Sequence, residues 1–267
     1  MPDYEQAHSL CCKAQIRQPL PCRQAAQAEP LKHWPVGAVR SRQVRADASR
    51  AAGSEAGAGR EAMRVLIACE FSGTVRRAFR ALGHDAWSCD LLPAEDGSQF
   101  HWRGDILELL ENTKSDCEFW PPFDLMIAHP PCTYLAVSGL HWNKRRPERA
   151  VKTGEAYEFF MALWNSCVPR IAIENPIGCM STLFRKPDQI AQPWQFGNDA
   201  SKATCLWLKN LPPLVPTNVL EGGRKARRAN QTASGQNKLA PSPDRWKLRS
   251  LTYPGIAQAM AEQWGSL

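Results

Sequence analysis

The sequence predicts an α/β fold over residues 63–267, in which a parallel β-sheet is covered by helices on both faces. Short apolar runs such as residues 65–68, and residues 171–173 after Arg170, lack polar alternation, which is typical of strands buried on both faces. Amphipathic stretches with helical spacing separate these runs. Strands that alternate with helices are joined by crossover connections, so the strands run parallel and the helices cover both faces.

The elements of this fold follow one another directly from Met63. Strands are predicted at residues 65–68, 84–90, 124–128, 170–173 and 203–208, with one more just before Gly104. Helices are predicted at residues 73–82, 105–111, 150–167 and 256–264.

The first predicted helix illustrates how the apolar face is assigned. Val75, Phe79 and Leu82 share one face at helical spacing and are expected to pack on the sheet. Three arginines of the helix are expected to point into solvent: Arg76, Arg77 and Arg80. Gly83 is expected to end the helix in the left-handed conformation.

Residues 1–62 differ from the rest of the chain in composition. They are rich in Ala, Arg, Gln and Gly, and their few apolar residues follow neither helical nor strand spacing. We therefore expect an N-terminal extension that is disordered, or a misassigned start with translation beginning at Met63. A basic arm that contacts nucleic acid is the third interpretation. The extension has nine basic and six acidic side chains, which leaves four of the seven net positive charges to residues 63–267.

Composition narrows the functional class. No run of 18 apolar residues occurs, so no membrane partner is expected. The ten cysteines include no Cys-x-x-Cys pair and no signal peptide precedes them, so we expect reduced thiols, no metal site and a cytoplasmic protein. A net charge of +7 permits nucleic acid as a partner without requiring it.

Acidic and small residues follow the first three predicted strands, where ligands bind in parallel sheets. Gly73 allows a ligand to approach the backbone at the start of a helix. Asp90 could accept hydrogen bonds from ribose hydroxyls, and Asp105 could accept from an adenine amino group. Helix capping or a solvated turn is the alternative role for each acid alone. Their order on successive strands favours an adenosine-type cofactor.

The next two strands end in a nucleophile and an acid. The strand at 124–128 runs into His129, Pro130, Pro131 and Cys132, and two prolines form a stiff turn that presents the cysteine at the strand end. The strand at 170–173 runs into Glu174. A thiol and a carboxyl group on adjacent strands could face one substrate. Alternatively, the cysteine is a small buried apolar residue and the glutamate caps a helix.

The segments FDLMIAHPPCTYLA and RIAIENP together resemble the Pro-Cys and Glu-Asn motifs of DNA cytosine-5 methyltransferases, in particular a short, phage-type branch. VLIACEFSG is similar to the cofactor loop of that family, RGDIL to its adenine-binding segment and TYPGIAQAMAEQW to its closing helix. The resemblance implies a Rossmann-like S-adenosylmethionine-dependent methyltransferase sheet. It implies that five residues bind the cofactor: Phe71, Gly73, Asp90, Asp105 and Pro130.

The resemblance also implies a covalent mechanism on cytosine-containing DNA. Cys132 would attack ring carbon 6 and thereby make carbon 5 reactive toward the methyl group. Glu174, kept partly protonated by burial, would hold ring nitrogen 3. In duplex DNA the cytosine must first leave the stack, at a cost of a few kcal/mol. The implied setting is DNA methylation of the restriction-modification or phage kind, in the cytoplasm of a bacterial or phage-infected cell.

The chain departs from the family pattern at several positions. His129 stands where the family has Gly before Pro-Pro-Cys, and Val75 replaces the second Gly of the cofactor loop. The Gln-x-Arg-x-Arg segment is missing, and Lys202 is the proposed substitute. Asn175 is a further candidate for substrate binding. A reduced target-recognition region is expected around residues 209–253, where Arg224, Arg227 and Arg228 either contact phosphates or face solvent.

Three alternatives to cytosine-5 methylation of DNA stay open at this point. Methylation of an amino group on adenine or cytosine favours an aromatic residue after Pro-Pro, where this chain has Cys132. A cytosine nucleotide could be the substrate because the recognition region is short. The protein could also bind cofactor or DNA without turnover. The sequence predicts neither the target site nor the oligomeric state.

Overall fold

The computed structural model describes residues 61–113 and 122–267. The extension predicted for residues 1–62 lies outside the described residues except for its last two positions, and it stays a prediction. Seven strands of the described ranges form one sheet: β1 (Arg64–Ala68), β2 (Asp85–Asp90), β3 (His101–Arg103), β4 (Leu125–Ala128), β5 (Arg170–Pro176), β6 (Gln189–Ala191) and β7 (Thr204–Lys209).

Helices connect and cover these strands. Those in the described ranges are α1 (Thr74–Ala81), α2 (Ile106–Asn112), α3 (Val137–Leu140), α4 (Pro147–Trp164), α5 (Met180–Leu183), α6 (Arg245–Ser250) and α7 (Pro254–Trp264). Single turns of 3-10 helix occur at His141–Lys144, Pro193–Gln195 and Gly223–Lys225. Within the same ranges, no helix is long and apolar enough to cross a membrane.

The strands are arranged in the order β3-β2-β1-β4-β5-β7-β6. The first five strands of the chain are parallel where they pair, whereas β7 runs antiparallel to both β5 and β6. The expectation of a wholly parallel sheet was therefore wrong at β7. Parallel neighbours need a crossover connection, normally a helix. The link between β6 and β7 contains only the short turn Pro193–Gln195, so the chain returns antiparallel.

Apolar side chains fill both faces of the sheet. On one face α1 and α7 contribute Val75, Phe79, Met260 and Trp264, all of them fully buried. On the other face α2 and α4 pack on the sheet, and Phe160 is among the fully buried side chains. Each side chain of this size contributes about 1.5–3 kcal/mol when it is buried. The predicted α/β class, with helices on both faces, is confirmed.

The exposure predicted for α1 needs two corrections. Arg76 was expected to face solvent, but it is 1% exposed: its guanidinium donates to Ser88 Oγ and to Asp96 Oδ1, both at 2.7 Å. The acid that pairs with it lies in the loop after β2, which helical spacing cannot reveal. Leu82 was expected to be buried but is 40% exposed, because the helix has already ended there. Gly83 has φ +87°, as predicted for a left-handed helix end.

Candidate active site

The side chains predicted to be functional lie at one edge of the sheet. Because β1, β2, β4 and β5 are parallel, their carboxyl ends meet there. Strand order reverses between β1 and β4, and in such sheets a ligand crevice opens at that point. Phe71 follows β1, Asp90 ends β2, Cys132 follows β4 and Glu174 lies near the end of β5.

A stiff turn after β4 presents Cys132. The backbone N–H of His129 donates to the carbonyl of the last residue of β1 at 2.9 Å, so the turn begins in register with the sheet. Pro130 and Pro131 then fix the backbone direction. Asn175, which is 1% exposed, donates from Nδ2 to the Pro130 carbonyl at 3.2 Å. Asn175 therefore supports the turn, and its predicted contact with substrate stays a prediction.

The Cys132 thiol lies at the crevice expected where strand order reverses between β1 and β4, which is called the cleft below. Cys132 is exposed to solvent, and neighbouring protein groups act on its thiol. Burial and the nearby charge of Glu174 raise the pKa of the thiol, while Lys202 and Arg249 act in the opposite direction. Cys132 is therefore a neutral thiol in the unliganded protein at neutral pH. A nucleophilic role requires that substrate binding change this balance of charge.

Glu174 is buried and ionised. Its Oε2 lies 2.7 Å from Nδ1 of His129, and both side chains are about nine-tenths buried. Burial alone would raise the pKa of Glu174, but Lys202, His129 and Thr204 outweigh it and lower the pKa to about 2. The expectation that burial keeps Glu174 partly protonated is therefore wrong, because the sequence did not show that His129 and Lys202 lie beside the carboxylate. Any proton that Glu174 gives to a substrate must first come from elsewhere.

Lys202 is brought to the same place by the start of β7. It lies near Glu174 and Cys132, since its charge lowers the pKa of both groups. Its ammonium group donates to the Leu251 carbonyl at 3.2 Å. Sequence reasoning missed Arg249, whose charge also acts on Cys132; the basic run at 245–249 was the available signal. Among the described residues, no group of three His, Cys, Asp or Glu side chains is placed to hold a metal ion.

The chain is similar to some proteins of known structure. No family model matches the chain, and no curated protein matches it. One solved structure that matches is a protein assigned as a DNA modification methyltransferase encoded within an E. coli prophage, at 15% identity and a TM-score of 0.41. The match covers 60% of this chain and 52% of that chain, so this chain spans about half the length of that protein.

Strand order and direction decide the fold class. Two strands, β2 and β3, lie outward of β1 on one side, and on the other side β7 is inserted antiparallel between β5 and β6. This is a Rossmann-like methyltransferase sheet. In this fold Cys132 follows β4 and Glu174 lies on β5. The predicted cofactor residues lie at or after the ends of β1, β2 and β3, except Pro130, which follows β4.

The loop after β1 is tightly constrained. Gly73, the N-cap of α1, has φ +67°, and a Cβ there would lie 2.3 Å from Nη2 of Arg76. The Glu70 carboxylate accepts from the backbone N–H groups of Val75 at 2.7 Å and Arg76 at 3.3 Å. Glu70, which the sequence analysis did not single out, therefore neutralises the positive end of α1. An acid three residues before the glycine that caps the helix was the signal for this role.

Asp90 and Asp105 differ in their local roles. Burial raises the pKa of Asp90 to about 6, and its Oδ1 accepts from the Leu92 N–H at 2.9 Å. Asp105 is the N-cap of α2 and accepts from the Leu107 N–H at 2.9 Å, which is the capping role that the sequence left open. A buried carboxyl at the end of β2 fits a ligand with hydroxyl donors, such as ribose. The adenine contact of Asp105 stays a prediction.

Helix α6 packs over the loop after β1. The rings of Trp246 and Phe71 lie 6.0 Å apart, and Phe71 is 8% exposed. The ammonium of Lys247 lies 5.6 Å from the Phe71 ring centre and pairs with Glu95 at 2.8 Å. The next turn of α6 carries Arg249 toward Cys132. The same short helix therefore packs on the loop after β1 and brings the charge of Arg249 near the thiol.

A basic cavity of about 320 Å³ lies beside this cleft. Its lining includes Arg224, Arg227 and Ser201, the residue before Lys202. Arg228 also lines it but is 6% exposed: Nη2 donates to the Gly223 carbonyl at 2.6 Å, and the guanidinium lies 5.4 Å from the Trp194 ring. Arg228 therefore holds the loop in place, whereas Arg224 and Arg227 are exposed and available to an anionic ligand.

Proposed function

We propose that the protein transfers a methyl group from S-adenosylmethionine to carbon 5 of cytosine in DNA. The observation that supports this most is the convergence of Cys132, Glu174 and Lys202 at the ends of β4, β5 and β7. Methylation of an exocyclic amino group needs no thiol at this position. A carbon-5 reaction does need one, because carbon 5 of cytosine is a weak nucleophile until carbon 6 is attacked.

The arrangement of charges suits such an attack. Adding the Cys132 thiolate to carbon 6 pushes electrons toward ring nitrogen 3, where charge must be neutralised. Lys202 supplies fixed positive charge beside Glu174 and Cys132. Arg249 adds a second cation near the sulfur. Both cations favour the thiolate, and their effect increases when a bound base excludes water from the cleft.

The cofactor would be held by the loop after β1 and the ends of β2 and β4. Phe71 would pack against the adenosine, Asp90 would accept from its hydroxyls, and Pro130 would line the crevice. When it is bound, S-adenosylmethionine supplies a methyl group on a positively charged sulfur. The Pro130–Pro131 turn keeps the thiol at a fixed position relative to the crevice, which is the requirement for a productive orientation.

DNA is the proposed substrate because exposed cations surround the cleft. Arg224 and Arg227 line the basic cavity beside Lys202, and the charge of the exposed Arg249 acts on the Cys132 thiol. Side chains of this kind bind phosphates and position a duplex without reading its sequence. A cytosine in duplex DNA would reach Cys132 only after it leaves the stack.

The direct test measures the transfer of labelled methyl groups from S-adenosylmethionine to three substrates: duplex DNA, single-stranded DNA and free cytidine nucleotides. Mass spectrometry then shows whether the product is 5-methylcytosine. The proposal expects 5-methylcytosine in DNA. N6-methyladenine or N4-methylcytosine as the product would contradict the carbon-5 assignment. If only the free nucleotides were labelled, the substrate would be a cytosine nucleotide and not DNA.

Asp90→Ala is expected to weaken S-adenosylmethionine binding by about 1–3 kcal/mol, or roughly 5- to 150-fold in Kd, because ribose hydroxyls lose their acceptor. Since the pKa of Asp90 is about 6 and hydroxyls bind the ionised form best, wild-type affinity should fall as the pH drops below 6. Calorimetry from pH 5 to 8 measures both effects. Glu108→Ala removes an exposed acid from α2 and is the matched control. Equal affinities for all three proteins would place the cofactor away from Asp90.

Arg224→Ala and Arg227→Ala are each expected to weaken DNA binding uniformly across sequences. Each loss of a phosphate contact should reduce the slope of log K against log salt by about 1. Lys238→Ala removes an exposed cation outside the cavity lining and should leave the slope unchanged. Fluorescence anisotropy at several salt concentrations measures the slopes. If wild type and both arginine variants had identical slopes, the arginines of this cavity would not contact DNA phosphates.

A further inference from the structure

His129 occupies the centre of the candidate active site. It follows β4 directly, and its backbone is fixed by a hydrogen bond to the last residue of β1. Its side chain points to β5, where Nδ1 lies 2.7 Å from Glu174 Oε2. The imidazole is 10% exposed, and Nε2 is buried without a hydrogen-bond partner among the described residues. A buried, polar ring is costly at this position unless it has a role, and a small residue would suffice for the turn.

The contact between His129 and Glu174 defines the direction of the hydrogen bond. An ionised carboxylate can only accept, so Nδ1 carries the hydrogen that lies between them. Glu174 is held ionised by its surroundings, as its lowered pKa indicates. The carboxylate therefore has no proton of its own to give, while a proton lies one hydrogen bond away on His129.

We propose that His129 is a positioning residue that supplies, through Glu174, the proton needed at ring nitrogen 3 of the substrate cytosine. This rests on the proposed carbon-5 methylation. The imidazole holds the carboxylate in place by the Nδ1–Oε2 hydrogen bond. It gives up its proton only when negative charge develops on the base.

The proton balance closes over one turnover. The Cys132 thiol first loses its proton to solvent in the open cleft. When the sulfur bonds to carbon 6, the electrons of the 5,6 double bond move toward nitrogen 3. His129, as the imidazolium that this step requires, first gives its Nδ1 proton to Glu174 and becomes a neutral imidazole, and the protonated carboxyl group then passes the proton to nitrogen 3. After carbon 5 has accepted the methyl group, its hydrogen leaves to water, the 5,6 double bond re-forms and the carbon–sulfur bond breaks. The Cys132 thiolate that is released takes a proton from solvent, and the proton on nitrogen 3 returns through Glu174 to His129.

Charged and titratable groups face the His129–Glu174 pair from several elements. Glu174 faces it from β5, and Asp90 lies close enough at the end of β2 for His129 to lower its pKa. Glu70 acts on Asp90 from the loop after β1. On the other side of Glu174 lie Lys202, which opposes protonation of the pair, and the neutral thiols Cys132 and Cys205.

The experiment measures the rate at which DNA containing 5-fluorocytosine becomes covalently attached to the full-length protein with S-adenosylmethionine present, between pH 5 and 10. Wild type should show a bell-shaped profile, rising as the thiol ionises and falling as the His129–Glu174 pair loses its proton. His129→Gln keeps an amide donor but cannot titrate. We expect it to be roughly 100-fold slower and to lack the alkaline fall. His129→Gly should regain rate and alkaline fall when imidazole is added.

Two measurements separate this role from loss of structure. Affinity for S-adenosylmethionine and the melting temperature should match wild type in His129→Gln, and His141→Gln, which changes an exposed histidine, should leave the rate unchanged. The inference would be overturned if His129→Gln reacted at the normal rate, or if it reacted slowly but its rate still fell at alkaline pH. In either case the proposed function would still stand, provided that the wild-type protein is active. If wild type forms neither adduct nor 5-methylcytosine, the proposed function fails and this inference fails with it.

Discussion

Cys132→Ala is expected to abolish methyl transfer, with a loss of about 10⁴-fold or more, as is typical when an enzyme loses its nucleophile. The reason is that carbon 5 cannot react until a thiolate has added to carbon 6. The same variant should form no covalent product with 5-fluorocytosine DNA, whereas wild type should gain the mass of the DNA on the peptide that contains Cys132. Affinity for S-adenosylmethionine should be nearly unchanged, because the alanine leaves the Pro130–Pro131 turn in place.

Cys167→Ala is the matched control, since Cys167 is also an exposed free thiol but lies beyond α4, outside the cleft. It should methylate and form adduct at the wild-type rate. If Cys132→Ala still produced methylated DNA at a normal rate, the nucleophile assignment would be wrong. Methylation of an amino group, which requires no covalent step, would then be the better interpretation.

Asp96→Ala is expected to lower the free energy of unfolding by about 3–5 kcal/mol, because it leaves the buried guanidinium of Arg76 without its counter-charge. In a domain of this size the melting temperature should fall by on the order of 10 °C. Asp96 accepts from Arg76 and Arg77, and Arg76 is 1% exposed. Thermal and urea unfolding, followed by circular dichroism, measure the difference.

The pH dependence of the same pair has a definite sign. Burial would raise the pKa of Asp96, but the hydrogen bonds from Arg76 and Arg77 outweigh it and lower the pKa to about 2. A lowered pKa in the folded state means that the stabilisation is complete above the unfolded value near 4 and is lost as the pH falls toward 2. Asp96→Ala should therefore lose less stability than wild type over that interval. Glu95→Ala breaks an exposed pair with Lys247 and should cost at most about 1 kcal/mol.

Most of the fold could be predicted because its signals are local. The strands at 65–68 and 170–173 contain short apolar runs, and the helix that ends at Trp264 has its own amphipathic spacing. The short strand Gln189–Ala191 was missed, because three residues carry no periodic signal. The direction of β7 depends on the length of the link before it. The burial of Arg76 depends on an acid that is remote in sequence.

The sequence predicted which residues form the candidate site better than it predicted their charge states. Cys132 and Glu174 follow predicted strands, so their meeting at one edge could be inferred from the topology. The ionised state of Glu174 could not, because it depends on His129 and Lys202 reaching it from two other strands. Arg249 reaches Cys132 only because α6 folds back over Phe71. Such contacts join segments that no spacing rule connects.

The packing of α7 against α1 has a consequence for the way this domain is made. Val75 and Phe79 of α1 pack in the same apolar layer as Met260 and Trp264 of α7. During translation, α7 is synthesised only after almost all of the rest of the domain. Until α7 is in place, one face of the sheet is only partly covered by helices. Its exposed apolar side chains can then aggregate or bind chaperones. Contacts this remote in sequence also slow the search for the native state. The domain is therefore expected to reach its native fold only after synthesis of its last helix, and not progressively from its first strand.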